Sequence, residues 1–278
     1  MNVGIVGLGL IGGSMAKSIK AHTLHHVAGV DLDAETMTFA RLCGAIDEKL
    51  DETNLGECDI ILIAVRPGEA VKWVIENAEN IDKKTVVIDL CGVKRAVTER
   101  VAPIARERGF SYIGGHPMAG RERGGFVNST DGMFDGASMI LTPDERTDAA
   151  LLERLKIFFT DIGFGSLTFT TPEEHDRVIA FTSQLAHITA SAYVKSPSAA
   201  KRRGFSGGSF RDMTRVARLD EQMWTELFLD NADNLTEELE IFIKNLNAYL
   251  YALKAAESTE LIRLLKEGRL KKAEAGGN

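Results

Sequence analysis

The chain has 278 residues, 44% hydrophobic and 26% charged, with a mean hydropathy of −0.07, values that fit a globular protein with a sizeable core. No stretch approaches the roughly 20 uninterrupted apolar residues of a membrane span, and Met1-Asn2-Val3-Gly4-Ile5 has no basic segment before its glycine-rich turn, so no secretory leader is expected. A net charge of −7 argues against nucleic acid as the partner, and three cysteines without CxxC spacing (Cys43, Cys58, Cys91) read as reduced thiols of a cytoplasmic protein, not metal ligands or disulfides.

Val3–Val6 reads as a buried strand, Ile11–Lys20 as a helix, and Val27–Asp31 as a second strand with a helix from Ala34 to about Cys43 after it. Apolar runs at Ile60–Val65, Val86–Asp89, Tyr112–Gly114, Ser138–Leu141 and Leu167–Phe169 supply further strands. Continuous apolar strands separated by amphipathic stretches predict an α/β unit over residues 1–170, a doubly wound parallel sheet of Rossmann type covered on both faces. From residue 171 the periodicity is helical, and residues 171–278 are expected to form an all-α unit. Thr171 is the predicted N-cap, Pro172 takes the first helical position and Glu174 the capping-box position. Gly204–Gly208 is the main break, and Met223–Leu229 and Leu235–Leu253 carry apolar residues three and four apart. The first of these helices carries Val178, Ile179, Phe181, Leu185 and Ile188, too much apolar surface for a solvated helix. Burial against a second subunit is expected. Lys266–Asn278, charged and then glycine-rich, is expected to fray.

Gly7-Leu8-Gly9-Leu10-Ile11-Gly12-Gly13 follows the first strand and opens the first helix. In that setting Gly7 permits a tight turn, Gly9 lets backbone approach a pyrophosphate, and Gly12 lets helix and strand pack closely. The amides at Leu10 and Ile11 then begin a helix N-terminus that favours phosphate. Asp31, 19 residues after Gly12, ends the second strand where a carboxylate can accept from a ribose diol. Leu32-Asp33 follow, with no arginine to welcome a 2′-phosphate, so NAD is expected rather than NADP.

Gly115-His116-Pro117-Met118-Ala119-Gly120 follows a predicted strand and precedes Gly124-Gly125. Taken in order with the glycine turn, Asp89-x-x-x-Val93-Lys94, Thr182-Ser183-Gln184-Leu185-Ala186-His187 and Phe210-Arg211-Asp212-Met213-Thr214-Arg215-Val216-Ala217, it resembles the prephenate and arogenate dehydrogenase family over nearly the whole chain. The resemblance implies a nucleotide-binding domain joined to a helical dimerisation domain, a homodimer, and an active site between the two domains. The reaction it implies removes hydride from the ring carbon bearing the hydroxyl of prephenate while the ring carboxylate leaves as carbon dioxide.

Such a step needs a group to take the hydroxyl proton, and histidine does so near neutrality. His116, at a predicted strand end, matches the family's catalytic histidine and is expected to be the general base. The implied substrate is a dianion. Between Lys201 and Arg218 stand six cations and a single acid, Asp212, in an otherwise acidic chain, a concentration that attracts anions. Arg215 matches the family's substrate-binding arginine and is expected to make a buried guanidinium–carboxylate contact. His187 matches a second family histidine and is expected to bind the substrate's side-chain end. Glu122 resembles a family position near the entrance and is expected to gate the pocket. Trp224 resembles another, and core packing accounts for it equally well. His175, in a first helical turn, is expected to play a local structural role, and His22, His25 and His26 flank a surface turn.

Two departures bear on recognition. Many relatives carry a serine after the aspartate of the Asp-x-x-x-Val-Lys segment, where Cys91 and Gly92 stand here, and many carry a histidine at Gln184. Prephenate and arogenate, which differ only in a keto or amino group, therefore both remain open. A β-hydroxyacid dehydrogenase shares the domain layout but works with a lysine on an interdomain helix, and Pro172–Tyr193 contains none. A non-catalytic dinucleotide-sensing dimer would have no need of His116.

Overall fold

The apolar runs of the first 170 residues pair into one sheet in a computed structural model that describes residues 1–121, 123–205 and 207–276. Its strands are β1 (Asn2–Val6), β2 (His26–Val30), β3 (Glu48–Lys49), β4 (Ile60–Ile63), β5 (Val86–Asp89), β6 (Ser111–Pro117), β7 (Ser138–Thr142) and β8 (Ser166–Phe169). Their spatial order is β3-β2-β1-β4-β5-β6-β7-β8. Helices α1 (Leu10–His22), α2 (Ala34–Leu42), α3 (Pro67–Asn77), α4 (Arg95–Arg108) and α5 (Ala149–Asp161) cover the two faces. Along β4, Ile60 and Leu62 enter one apolar cluster with Met15, Phe134 and Phe158, while Ile61 and Ile63 enter the other with Val71, Val97 and Val101. That period of two, buried on both sides, is why the strand reads as an unbroken apolar run.

The expected all-parallel sheet needs one correction. β6 and β7 pair antiparallel, Gly115 opposite Leu141 and His116 opposite Ile140, while the remaining pairs are parallel. A parallel return needs a crossover that carries the chain back along the sheet. Between Pro117 and Ser138 the described residues hold only a 3₁₀ turn, Phe126–Asn128. The chain therefore re-enters from the end it left.

Helices follow Phe169: α6 (Pro172–Ile179), a π-turn (Ala180–Gln184) continuous with α7 (Leu185–Val194), then α8 (Gly208–Thr214), α9 (Glu221–Leu229), α10 (Ala232–Lys254) and α11 (Ser258–Ala275). Thr171 Oγ1 accepts from the Glu174 amide at 3.2 Å as the N-cap, whereas the Glu174 carboxylate turns to Arg177. The expected frayed tail is helical as far as Ala275. Residues 266–275 are mostly good helix formers, and Lys271–Glu274 and Arg263 with Glu260 and Glu267 add surface pairs. The helical layer has a small core of Ala180, Leu185 and Leu235. It leaves Phe181, Leu229, Ile241, Leu246 and Leu253 exposed.

The glycine turn sits where β1 passes into α1. Gly7 has φ +84° and a Cβ on Gly12 would lie 1.8 Å from the Gly7 carbonyl oxygen. Gly12→Ala is therefore expected to lower the unfolding free energy by about 1–3 kcal/mol, read from the urea midpoint. An unchanged midpoint would show that the turn opens without cost.

Candidate active site

The first helix offers a free N-terminus. Gly9 precedes α1 with no side-chain cap and no acid in the first turn, and a Cβ on Gly9 would meet nothing within 4 Å. Backbone here is open to a phosphate. Asp31, just past β2, accepts from the Leu8 amide at 2.7 Å and the Asp33 amide at 2.9 Å, one on each oxygen. It braces the turn, and each oxygen keeps a lone pair for a ribose hydroxyl. Asp33 caps α2 through the amides of Glu35 and Thr36. The Thr36 hydroxyl and amide hold its carboxyl below the ordinary range.

Four elements converge on His116 at the end of β6. Its Nδ1 lies 2.9 Å from Nε2 of His175 on α6, and Nδ1 of His175 lies 2.7 Å from Oδ1 of Asp176. Asp176 also accepts from the backbone amides of Lys94 (2.8 Å) and Arg95 (3.0 Å), at the start of α4, and from Arg95 Nε. Beneath this chain lies a second buried network. Lys94 Nζ pairs with Asp89 and donates to the Gly115 carbonyl at 2.6 Å, while the Tyr112 hydroxyl donates to the other Asp89 oxygen at 2.7 Å. Lys94 thereby grips the backbone one residue before His116.

Burial, with the charges of His175 and Lys94 adding to it, pushes His116 well below the ordinary histidine value. Burial lowers His175 as well, against the opposing pull of Asp176. Asp176 itself is held below the carboxylate range by its donors (His175 and the Arg95 and Lys94 amides), which together outweigh its own burial. Among the described residues Nε2 of His116 has no protein partner, and no buried side-chain nitrogen or oxygen lacks one. That atom is therefore open to the cleft. A Cβ on Gly92 would sit 4.0 Å from it and 3.4 Å from Leu227 of α9. Cys91 turns away, its thiol 3.5 Å from the Val65 carbonyl and raised well above its ordinary value by burial.

His187, on α7, borders the same cleft. Its Nδ1 donates to the Ser183 carbonyl at 2.8 Å, and Trp224 of α9 packs against its ring, tilted by 30°, at 3.9 Å between centroids. Burial lowers its pKa, and the nearby Arg215 charge lowers it further. Trp224 and Leu227 are three apart on α9, so one helix face borders both His187 and the Gly92–His116 wall. Trp224 also packs on Phe228.

The family profile described as "Prephenate dehydrogenase, nucleotide-binding domain" matches residues 15–166, and "Prephenate dehydrogenase, dimerization domain" matches residues 171–267. The chain belongs to the prephenate dehydrogenase family. It is 29% identical to the prephenate dehydrogenase of Bacillus subtilis over 95% of this chain and 73% of that one. Among solved structures it resembles the Aquifex aeolicus prephenate dehydrogenase in complex with hydroxyphenyl propionate and NAD+ (TM-score 0.85, 31% identity, 99% of this chain and 98% of that one). It also resembles the Synechocystis arogenate dehydrogenase (TM-score 0.82, 26% identity, 99% and 100% covered).

Within this family fold the structure brings His116, His187, Trp224 and the charge of Arg215 to one region. Arg215 is exposed and has no ion-pair partner among the described residues, which leaves its guanidinium uncommitted to a protein carboxylate. Its neighbours Arg211 and Arg202 meet Asp212 and the Phe210 ring. Glu122 lies outside the described residues. Gln184 is buried, donating to the Leu227 carbonyl and accepting from Asn231; it braces α9 and α10. His175 exceeds the local role expected of it, since its ring spans from α6 to the catalytic candidate on the sheet. The adjacent His175-Asp176 pair at the junction of the two layers was the available signal.

The three cleft histidines titrate below their ordinary value of about 6.5, so at and somewhat below that pH the unfolded chain binds protons that the folded chain refuses. Stability is then full above about pH 7 and falls as pH drops through about 6.5. A melting temperature that stays level down to about pH 5 would contradict the burial of these rings.

Proposed function

We propose that the chain is a NAD-dependent prephenate dehydrogenase that converts prephenate to 4-hydroxyphenylpyruvate in tyrosine biosynthesis. The observation that carries this reading is the unpartnered Nε2 of His116, at the same carboxyl edge of the sheet as the uncapped glycine turn. Gly7, Gly9, Leu10, Ile11, Gly12 and Asp31 would hold NAD, which when bound accepts the hydride. His116 takes the hydroxyl proton on Nε2 as the ring carboxylate leaves. Arg215 binds a carboxylate of the substrate, His187 binds its side-chain end, and Glu122 gates the entrance. Residues 1–170 form the nucleotide unit and 171–278 the substrate and dimerisation unit. The exposed apolar residues of the helical unit are the natural face for a second copy. Three unpaired thiols suit a reducing cytoplasmic setting.

A second reading, arogenate dehydrogenase, has one observation in its favour. Because the Ser183 carbonyl can only accept, His187 Nδ1 carries the hydrogen, and the neutral ring offers Nε2 as an acceptor. An ammonium donor suits that acceptor directly. A keto oxygen does so only when His187 is protonated.

The test is to mix the protein with NAD or NADP and prephenate or arogenate, and follow the reduced nicotinamide. Turnover with NAD and prephenate is expected, and the ratio to arogenate decides between the two readings. No turnover in any combination would overturn both. His116→Asn is expected to lower kcat by roughly 10²–10⁴-fold with NAD binding retained; a loss under about tenfold would remove His116 from the role of base. In the wild type, kcat/KM should rise with pH along a limb below about 6.5 and stay level through neutrality, since the base works deprotonated and its pKa is depressed.

A further inference from the structure

We propose that His175 and Asp176 are a positioning pair that holds His116 in the one neutral form able to take the substrate's proton, with its hydrogen on Nδ1 and its lone pair on Nε2. This rests on the reading of His116 as the base. The order of donors is set outward from the carboxylate. Asp176 is fully buried and receives four donors: Oδ1 takes the Lys94 amide and His175 Nδ1, and Oδ2 takes the Arg95 amide and Arg95 Nε. Donors on both oxygens at the head of α4 keep it ionised, and an ionised carboxylate only accepts. The Nδ1 of His175 must therefore donate. In a neutral ring this leaves Nε2 of His175 bare, so across 2.9 Å the His116 Nδ1 is the donor. His116, neutral in turn, is left with its lone pair on Nε2, the atom open to the cleft.

The chain has a second state that would defeat the enzyme. If His175 took up a proton, its Nε2 would donate to His116 Nδ1, and a neutral His116 would carry its hydrogen on Nε2, pointing the wrong group at the substrate hydroxyl. Burial in the seam opposes that protonation, and so does the fully buried Lys94, while Asp176 and Asp89 favour it. During turnover the hydroxyl proton goes to Nε2 of His116, and Nδ1 keeps its hydrogen bond to His175. The positive charge gained is then stabilised through His175 by the Asp176 carboxylate, without a further bond being made or broken. The Lys94 grip on the Gly115 carbonyl fixes the backbone of β6, and the His175 contact fixes the ring.

The proposal is tested by ¹⁵N NMR of the histidine-labelled full-length protein above neutral pH, with and without NAD. His116 is expected to show a protonated Nδ1 and a bare Nε2. A His116 carrying its hydrogen on Nε2 overturns the proposal. This readout needs no turnover, so a failure of the substrate assignment leaves it standing and is told apart from it. Asp176→Asn places an amide NH₂ against His175 Nδ1, reverses every donor in the chain and should move the His116 hydrogen to Nε2. It should lower kcat by roughly 10²–10⁴-fold with KM little changed. Since the introduced amide must also serve the buried seam, a second pair of variants guards against misfolding. His175→Gln can still accept from Nδ1 through its carbonyl, and His175→Leu cannot. The glutamine variant should keep the wild-type His116 signal and at least about tenfold more activity than the leucine variant. Equal losses, with an unaltered His116 signal in both folded variants, would make the pair merely structural.

Discussion

The Asp176 carboxylate is the point at which the helical layer is fastened to the sheet. A carboxylate buried without partners costs several kcal/mol, and here the cost is met by the two backbone amides that open α4, by Arg95 and by His175. Arg95 extends the attachment, reaching Asp233 and the Asn231 side chain at the start of α10. The Asn231 amide in turn donates to the Asp176 carbonyl and to Gln184. The bonds to the buried Asp176 carboxylate are each worth about 1.5–3 kcal/mol, and the neutral amide bonds of Asn231 about 0.5–1.5 kcal/mol. Surface pairs such as Lys271–Glu274 contribute about 0–1 kcal/mol. Where the helical layer sits on the sheet is therefore decided at this seam, and the ring of His116 hangs from it.

The same logic explains why one helix end stays free for a nucleotide. Four helices begin near the carboxyl ends of the strands, and three of their N-termini are occupied by carboxylates. Asp33 caps α2, Glu226 of α9 accepts from the Gly68 amide of α3 at 2.6 Å, and Asp176 occupies the start of α4. The N-terminus of α1 has no acid in its first turn and no side-chain cap. An anionic ligand is thus directed to the glycine turn by the occupation of the alternatives as well as by the turn's own shape.

Much of this is legible in the sequence because it is local. Apolar runs bounded by turns mark β1, β2, β4 and β5 within a residue or two, the glycine spacing marks the turn, and Thr171-Pro172 marks the start of α6. What escapes is set by contacts distant along the chain. The two-residue β3 is defined by its pairing with β2 and has no pattern of its own. The reversal at β7 depends on how the link after Pro117 travels. Charge density in the tail suggests fraying, yet the same lysines and glutamates are good helix formers. His175 lies 59 residues from His116 in sequence, and no local period foretells that contact. Arg215 is expected from the family pattern to meet a substrate carboxylate, and in a single chain its side chain is exposed.

The π-turn between α6 and α7 completes the geometry. Twelve residues separate His175 from His187, and in an uninterrupted α-helix, at about 100° per residue, the two would point roughly 120° apart. The extra residue held in a π-turn turns the following helix back by roughly 100°, bringing both histidines toward one side. The turn is secured at its end. Gln184, its last residue, is buried and bonds the Leu227 carbonyl and Asn231. Leu227 is the side chain facing Gly92 and His116, and Trp224, one turn earlier, covers His187. A glutamine here thus serves as the brace that sets α9 against both histidines, and its buried amide is committed to backbone and Asn231 rather than to a substrate. On the function proposed above, recognition of the substrate's side-chain end falls to His187, whose Nδ1 is committed to the Ser183 carbonyl and whose ring lies within reach of the Arg215 charge.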